Sequence, residues 1–396
     1  MAGQFQPALS AGTARLISTP VDRSGLPQSA NAVVRDDLAN LCDTLSGELN
    51  QMAGKPLLIT GGAGFLGYYL VQTIAAFNAN ADKRRRIRLT VFDNFSRGMP
   101  GWLADLQGQE AIDIVAHDLR HPLPDLKEEF AYVVHGASIA SPTYYRKDPI
   151  ATMDSNVNGL RTLLDYALAQ KQKGQPLDGF LFFSSSEIYG DPEPAFIPTD
   201  ETYAGRVSCT GPRACYDEGK RYGETLCVNF ARQHGIAVKQ ARPFNNYGPG
   251  LKITDGRLIP DFARDILAGR DIVMLSDGAP TRTFCYSADS VAGYFKVLVR
   301  GRPGEGYNIG CDKPEISVAD LAQEMIAIAK DLFGYSGQVV RRKSQDGDYL
   351  IDNPNRRCPI IDKARKELDY EPRVSLHEGL RRSLLWYSAN SEAEAK

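Results

Sequence analysis

The chain has 396 residues, 43% of them apolar, and a formal net charge of −2, enough material for one large domain or a fused pair sharing a core. The near-neutral balance argues against nucleic acid as the main partner. No apolar stretch approaches the ~20 residues of a membrane span and no secretory core precedes Gly61, so a cytoplasmic protein without membrane contact is expected.

Seven cysteines, Cys42, Cys209, Cys215, Cys227, Cys285, Cys311 and Cys358, form no C-x-x-C pair, and there is no histidine cluster. Metal binding is therefore not expected, and the odd count fits a reducing compartment.

Residues 1 to about 30 are rich in Ser, Pro, Gly and Ala and read as a flexible arm. Apolar spacing at Leu38, Leu41, Leu45 and Leu49 then predicts an amphipathic helix over 36–52 that docks on the domain or on a neighbouring subunit. Its acids Asp36, Asp37, Asp43 and Glu48 speak against a transit peptide. The arm and this helix, residues 1–53, form a segment distinct from the nucleotide-binding part.

Residues 56–60 read as a buried strand that runs into Gly61-Gly62-Ala63-Gly64-Phe65-Leu66-Gly67, with helical spacing over 65–77. Strand, glycine turn and helix in that order suit a dinucleotide. Gly61 takes backbone angles closed to other residues, Gly64 admits a pyrophosphate to the main chain, and Gly67 lets helix and strand pack closely. The anion meets the free N–H groups at the helix start. The basic run 83–86 reads as a solvated loop. A second strand over 87–92 ends at Asp93, 26 positions past Gly67, where a carboxylate accepts hydrogen bonds from the adenosine ribose. That favours NAD over NADP, with Arg97 as the alternative contact for a 2′-phosphate. Strands over 112–117, ending before Asp118, and over 132–136, leading into Ala137-Ser138, continue the alternation. The predicted fold is α/β, a Rossmann-like doubly wound parallel sheet covered on both faces.

Residues 179–183 predict a central strand with Ser184-Ser185-Ser186-Glu187 at its carboxyl end, the edge where such sheets bind ligands. A helix over 213–234 places Tyr216 and Lys220 one turn apart on one face. A free tyrosine, with a pKa of about 10, is a poor base at neutral pH. A neighbouring ammonium and a cationic nicotinamide ring favour its phenolate and bring it toward the working range. Helices over 258–269, 317–332, 362–370 and 376–387, with a short strand at 307–309, read as pieces of a smaller substrate cap, and residues 346–349 with 353–357 as a loop near the site. The expected division is a nucleotide-binding part over 54–244 and a mainly substrate-binding cap over 245–390, interleaved with the sheet.

The glycine turn, Asp93-Asn94-Phe95, Tyr216-x-x-x-Lys220 and Arg242-Pro243-Phe244-Asn245 together resemble the extended short-chain dehydrogenases of the NAD-dependent epimerase/dehydratase family, which act on nucleotide sugars. Within that family, residues 186–192 and 211–221 are most similar to the UDP-glucuronate decarboxylases, or UDP-xylose synthases, and the likeness runs over about 55–387. Tyr68-Tyr69 replaces the common Ser-His after the last glycine. The resemblance implies that Tyr216 is the proton acceptor with Lys220 as its partner. Ser185 stands where the family has Thr or Ser, Glu187 matches the acidic catalytic residue, and Arg282 matches an arginine at the sugar carboxylate. Phe65, Leu66, Asn94, Ser96, Arg97, Asp118, Leu119, Ala137 and Ser138 would join Gly61, Gly64, Gly67 and Asp93 around NAD. Asn245 would meet the diphosphate, while Tyr145, Asn156, Arg257 and Tyr286 would line the sugar-nucleotide pocket. The helix at 161–170 would form part of a four-helix contact, so a homodimer is expected.

The implied chemistry starts with Tyr216 taking the 4-hydroxyl proton of a UDP-linked hexuronic acid while hydride leaves C4 for tightly bound NAD. The carboxylate then lies beta to a ketone, and carbon dioxide departs to leave an enolate. Glu187 or a water supplies the proton at C5, and hydride returns to C4 without net oxidation. A 4,6-dehydratase would need an acid where this chain has Ser185-Ser186-Glu187, and a serine hydroxyl is too weak for that role. The alternative is UDP-glucuronate 4-epimerase, which shares the substrate and the arginine. A silent NAD-binding module would normally have lost Tyr216 or Lys220, and both are present.

Overall fold

The computed structural model describes residues 30–126, 128–342 and 354–395. The arm expected before residue 30, and residues 346–349 and 353 of the expected loop, lie outside them.

Seven strands form one parallel sheet: β1 (Pro56–Thr60), β2 (Arg88–Asp93), β3 (Ile112–Ala116), β4 (Tyr132–His135), β5 (Gly179–Phe183), β6 (Val238–Pro243) and β7 (Gly306–Ile309), in the order 7-6-5-4-1-2-3. Every residue of β4 and β5 is buried, because helices cover both faces, and such strands carry unbroken apolar runs. Alternate side chains feed two cores: Leu58, Phe180 and Phe182 go to one, Leu57, Ile59, Leu181 and Phe183 to the other. The strand order reverses between β1 and β4, which opens a crevice over their carboxyl ends.

The helix expected over 36–52 is two, α1 (Ala30–Thr44) and α2 (Ser46–Met52). Leu38, Leu41, Leu45, Leu49 and Met52 are buried in the chain's own core, so this pair docks on the domain itself. It lies partly against α3 (Phe65–Asn80). On the other face α4 (Pro149–Gln172) and α5 (Ala214–His234) pack along one another. Gly235 stops α5 with φ +61°, its N–H on the Ala231 carbonyl and the Ile236 N–H on Phe230.

After α6 (Leu258–Leu267) comes α7 (Ser287–Arg300), which sequence spacing did not reveal. Eleven of its fourteen residues are buried. It packs on β5 and β6. The strand at 307–309, expected in the cap, is β7 and pairs with β6 at the sheet edge. Helices α8 (Val318–Phe333), α9 (Asp362–Leu368) and α10 (Leu376–Ala395) complete the described chain. A small sheet sets Thr281–Arg282 between Ile316–Ser317 and Arg356–Arg357.

Candidate active site

A cleft of about 970 Å³ opens over the strand ends and collects nearly all the residues expected to act. Its cofactor wall is shaped by missing side chains. Gly61 has φ +72°, and a Cβ there would lie 2.6 Å from the Ala137 nitrogen. At Gly67 a Cβ would come within 2.2 Å of the Gly62 carbonyl oxygen. Helix α3 therefore rests on the turn at backbone distance, and Gly64 caps it without a side chain, leaving first-turn N–H groups for an anion.

Asp93 ties the turn to the next loop. Its Oδ2 accepts from the Ala63 N–H at 3.0 Å and its Oδ1 from Phe95 at 2.9 Å. Burial pushes its carboxyl up, and these N–H groups work against that shift. Phe65, Leu66, Asn94, Ser96, Leu119, Ala137 and Ser138 line the same wall. So does Asp118, which accepts from Asn94 Nδ2 at 3.0 Å and is held well below the usual carboxylate range by Arg120. Arg97 stacks on Tyr144 at 4.8 Å and lies 3.3 Å from buried Asp255 of the opposite wall. Its charge is engaged there, and not held out for a 2′-phosphate.

At the end of β5, Ser185 lies beside Tyr216 and favours its phenolate, and the Tyr216 ring stacks on Tyr145 with centroids 5.1 Å apart. Lys220 Nζ donates to the Phe183 carbonyl at 2.8 Å and lies 5.6 Å from the Tyr216 ring centre. Burial pushes the Tyr216 phenol up to about 12 and the Lys220 ammonium down to about 7. The expectation joined the ammonium to a cationic nicotinamide ring, and the main influences on the phenol here do not include Lys220. Ser185 and Arg257 are what oppose burial at Tyr216, and a cationic ring in the cleft is the further influence that would lower it.

Glu187 sits between two arginines. Arg357 donates to its two oxygens at 2.7 and 2.6 Å, and Arg213 bonds the same carboxylate. Burial raises the Glu187 pKa, but Arg213 and Arg357 more than reverse that, to about 2. In this arrangement the group is held ionised, which of the two expected C5 proton sources, Glu187 or a water, favours the water. Asp217 behaves oppositely: burial and the Glu187 charge push it up to about 8, with Arg213 Nε 3.6 Å away.

Arg282 lines the cleft and donates to the carbonyls of Thr281 at 2.8 Å, Asn355 at 3.2 Å and Pro354 at 2.5 Å. Asn245 Nδ2 donates to the Thr283 carbonyl at 2.8 Å, and Arg257, before α6, lies 3.0 Å from Asp255. Both line the cleft, as does Tyr145.

Two expected pocket residues do not line it. Asn156 is fully buried against Gly219 where α4 meets α5, and its neighbour Ser155 faces the cleft instead. Tyr286 is fully buried because its hydroxyl donates to the Asp37 carboxylate at 2.6 Å, and Phe284 takes the lining position. Conversely, Arg213 and Arg357 line the cleft without having been given a role. Arg213 had a usable signal, a cation at the start of the helix that bears Tyr216. Arg357, 170 positions from Glu187, had none.

A parallel dinucleotide sheet with a buried tyrosine–lysine pair at its carboxyl edge defines an enzyme of the short-chain dehydrogenase type. The chain belongs to the NAD dependent epimerase/dehydratase family, whose sequence model matches residues 57–310. It is similar to UDP-glucuronic acid decarboxylase 3 of Arabidopsis thaliana, 36% identical over 324 residues, covering 82% of this chain and 86% of that one. It is also similar to UDP-glucuronic acid decarboxylase 1 of Xenopus tropicalis, 35% identical over 347 residues, or 88% and 75% of the two chains. Among solved structures, the epimerase Mth375 of Methanothermobacter thermautotrophicus matches with a TM-score of 0.74 at 27% identity, over 89% of this chain and 98% of that one. DesIV, a dTDP-glucose 4,6-dehydratase from Streptomyces venezuelae with NAD and TYD bound, matches with a TM-score of 0.71 at 26% identity, over 85% and 98%. The family, fold class and NAD cofactor read from the sequence are borne out.

Proposed function

We propose that this protein removes carbon dioxide from UDP-glucuronate to give UDP-xylose. Its similarity to named decarboxylases supports this, and one observation carries it. Among the described residues, the guanidinium groups of Arg213, Arg282 and Arg357 converge on the end of the cleft that holds Ser185 and Tyr216. A neutral hexose offers such groups little, whereas a hexuronate offers a carboxylate of matching geometry.

The glycine turn, Asp93 and the Ala137-Ser138 wall fit NAD, which when bound supplies a reversible hydride acceptor. Tyr216, oriented by Ser185 and Tyr145, takes the proton of the sugar 4-hydroxyl. Arg282 and its neighbours hold the carboxylate. Once C4 is a ketone that carboxylate belongs to a β-keto acid, and carbon dioxide leaves to give an enolate that nearby donors stabilise. Water protonates C5 in this reading, because Arg213 keeps Glu187 ionised. Tyr216 returns its proton to the C4 oxygen, and no net oxidation results.

In this reading residues 54–244 form the cofactor part and 245–390 mainly the cap. The chain works as a homodimer through α4 and α5, supported by exposed Ile150 and Met153 on one and Tyr222 on the other. It works in the cytoplasm, which its seven free cysteines favour. The test is incubation of the purified protein with UDP-glucuronate. Carbon dioxide and a UDP-pentose are expected, and UDP-galacturonate without gas would replace this reading with 4-epimerisation.

A further inference from the structure

Glu187 is held twice. Arg357 meets it two-pronged from the strand Arg356–Arg357, and Arg213 reaches it from the start of α5. Losing one of these partners still leaves the buried carboxylate paired, so the heavy penalty of an isolated buried charge is avoided. Arg357 also stands in direct register with Arg282, and both side chains line the cleft. After burial, the charge of Arg357 is the largest influence lowering the Arg282 pKa, in keeping with their adjacent places on neighbouring strands. A guanidinium forked onto one carboxylate can give it up for another of the same geometry, and Arg213 keeps Glu187 paired when it does.

We propose that Arg357 is an exchangeable clamp, leaving Glu187 for the substrate carboxylate on binding and returning to Glu187 when that carboxylate departs as carbon dioxide. This rests on the UDP-glucuronate reading and makes Arg357 a determinant of acidic-sugar specificity. Arg213 stays on Glu187 throughout. The pentose product has no carboxylate to compete with Glu187, so the clamp favours release of product over substrate.

The test is calorimetric titration of the NAD-loaded protein with UDP-glucuronate, UDP-xylose and UDP. R357Q should weaken UDP-glucuronate about tenfold or more, the scale of a lost charge-assisted pair, and leave UDP-xylose and UDP nearly unchanged. E187Q removes the competing carboxylate and should tighten UDP-glucuronate several-fold while leaving UDP alone. Equal effects of R357Q on all three ligands, or none on any, would overturn the clamp. So would weaker UDP-glucuronate binding in E187Q, which decides the matter alone should R357Q fail to fold. A wild-type protein that does not distinguish UDP-glucuronate from UDP-xylose is a separate result and removes the substrate reading instead.

Discussion

The two ends of the cleft are built by opposite means. The cofactor wall comes largely from one run, residues 56–67, and works through absent atoms: the positions of Gly61 and Gly67 exclude a Cβ. The sugar wall is gathered from segments up to 170 positions apart and is held by charge, with Glu187 between Arg213 and Arg357. A wall made of backbone is damaged by adding an atom. One made of paired charges is damaged by removing a group.

The sharpest way to break that contrast is at Tyr216. Tyr216→Phe removes only the hydroxyl beside Ser185, and carbon dioxide release from UDP-glucuronate should fall by about 10²–10⁴. UDP affinity should be unchanged in calorimetry; an equal loss of affinity would make the tyrosine a ligand holder and not a proton carrier. Next in size is Gly67→Ala, which drives a methyl group to 2.2 Å from the Gly62 oxygen. It should cost about 1–3 kcal/mol of stability and strip NAD from the purified protein. Retention of a full complement of cofactor, read by absorbance after denaturation, would show that this wall tolerates an added atom.

A third prediction lies outside both walls. Burial pushes the Asp37 carboxyl up to about 6 from 3.8, so the folded chain holds that proton more tightly than the unfolded one. The stability it contributes is fully present below 3.8 and is lost as pH rises through about 6. Melting temperatures over that window should decline more steeply for the wild type than for Asp37→Asn, and parallel curves would count against the shift. The smallest effect is expected at Gly235, where φ is +61°. Gly235→Ala should cost about 1 kcal/mol in denaturant melts without altering cofactor content or gas release, and a change in either would tie the end of α5 to the site.

What the sequence disclosed divides in the same way. The strands buried on both faces stand out as apolar runs, the glycine turn is contiguous, and Tyr216 and Lys220 share one helix face, so each leaves a local trace. The clamp on Glu187 leaves none, because register between Thr281–Arg282 and Arg356–Arg357 is a tertiary fact. Helix α7 was missed although Val291, Phe295 and Leu298 recur there at helical spacing, so its local trace was present and was passed over. Tyr286 was misplaced because the buried acid that claims its hydroxyl is 249 positions earlier.

Asp37 also receives a hydroxyl from Tyr69 and an ion pair from Arg382, 345 positions later. A chain still being synthesised therefore carries a buried-acid helix whose cationic partner does not yet exist, and the apolar side of α1 lacks its seat on α10. Residues 37 and 382 therefore tie the first described helix to the last one. Closure of this clasp is thus a late event in biosynthesis, since it needs residue 382.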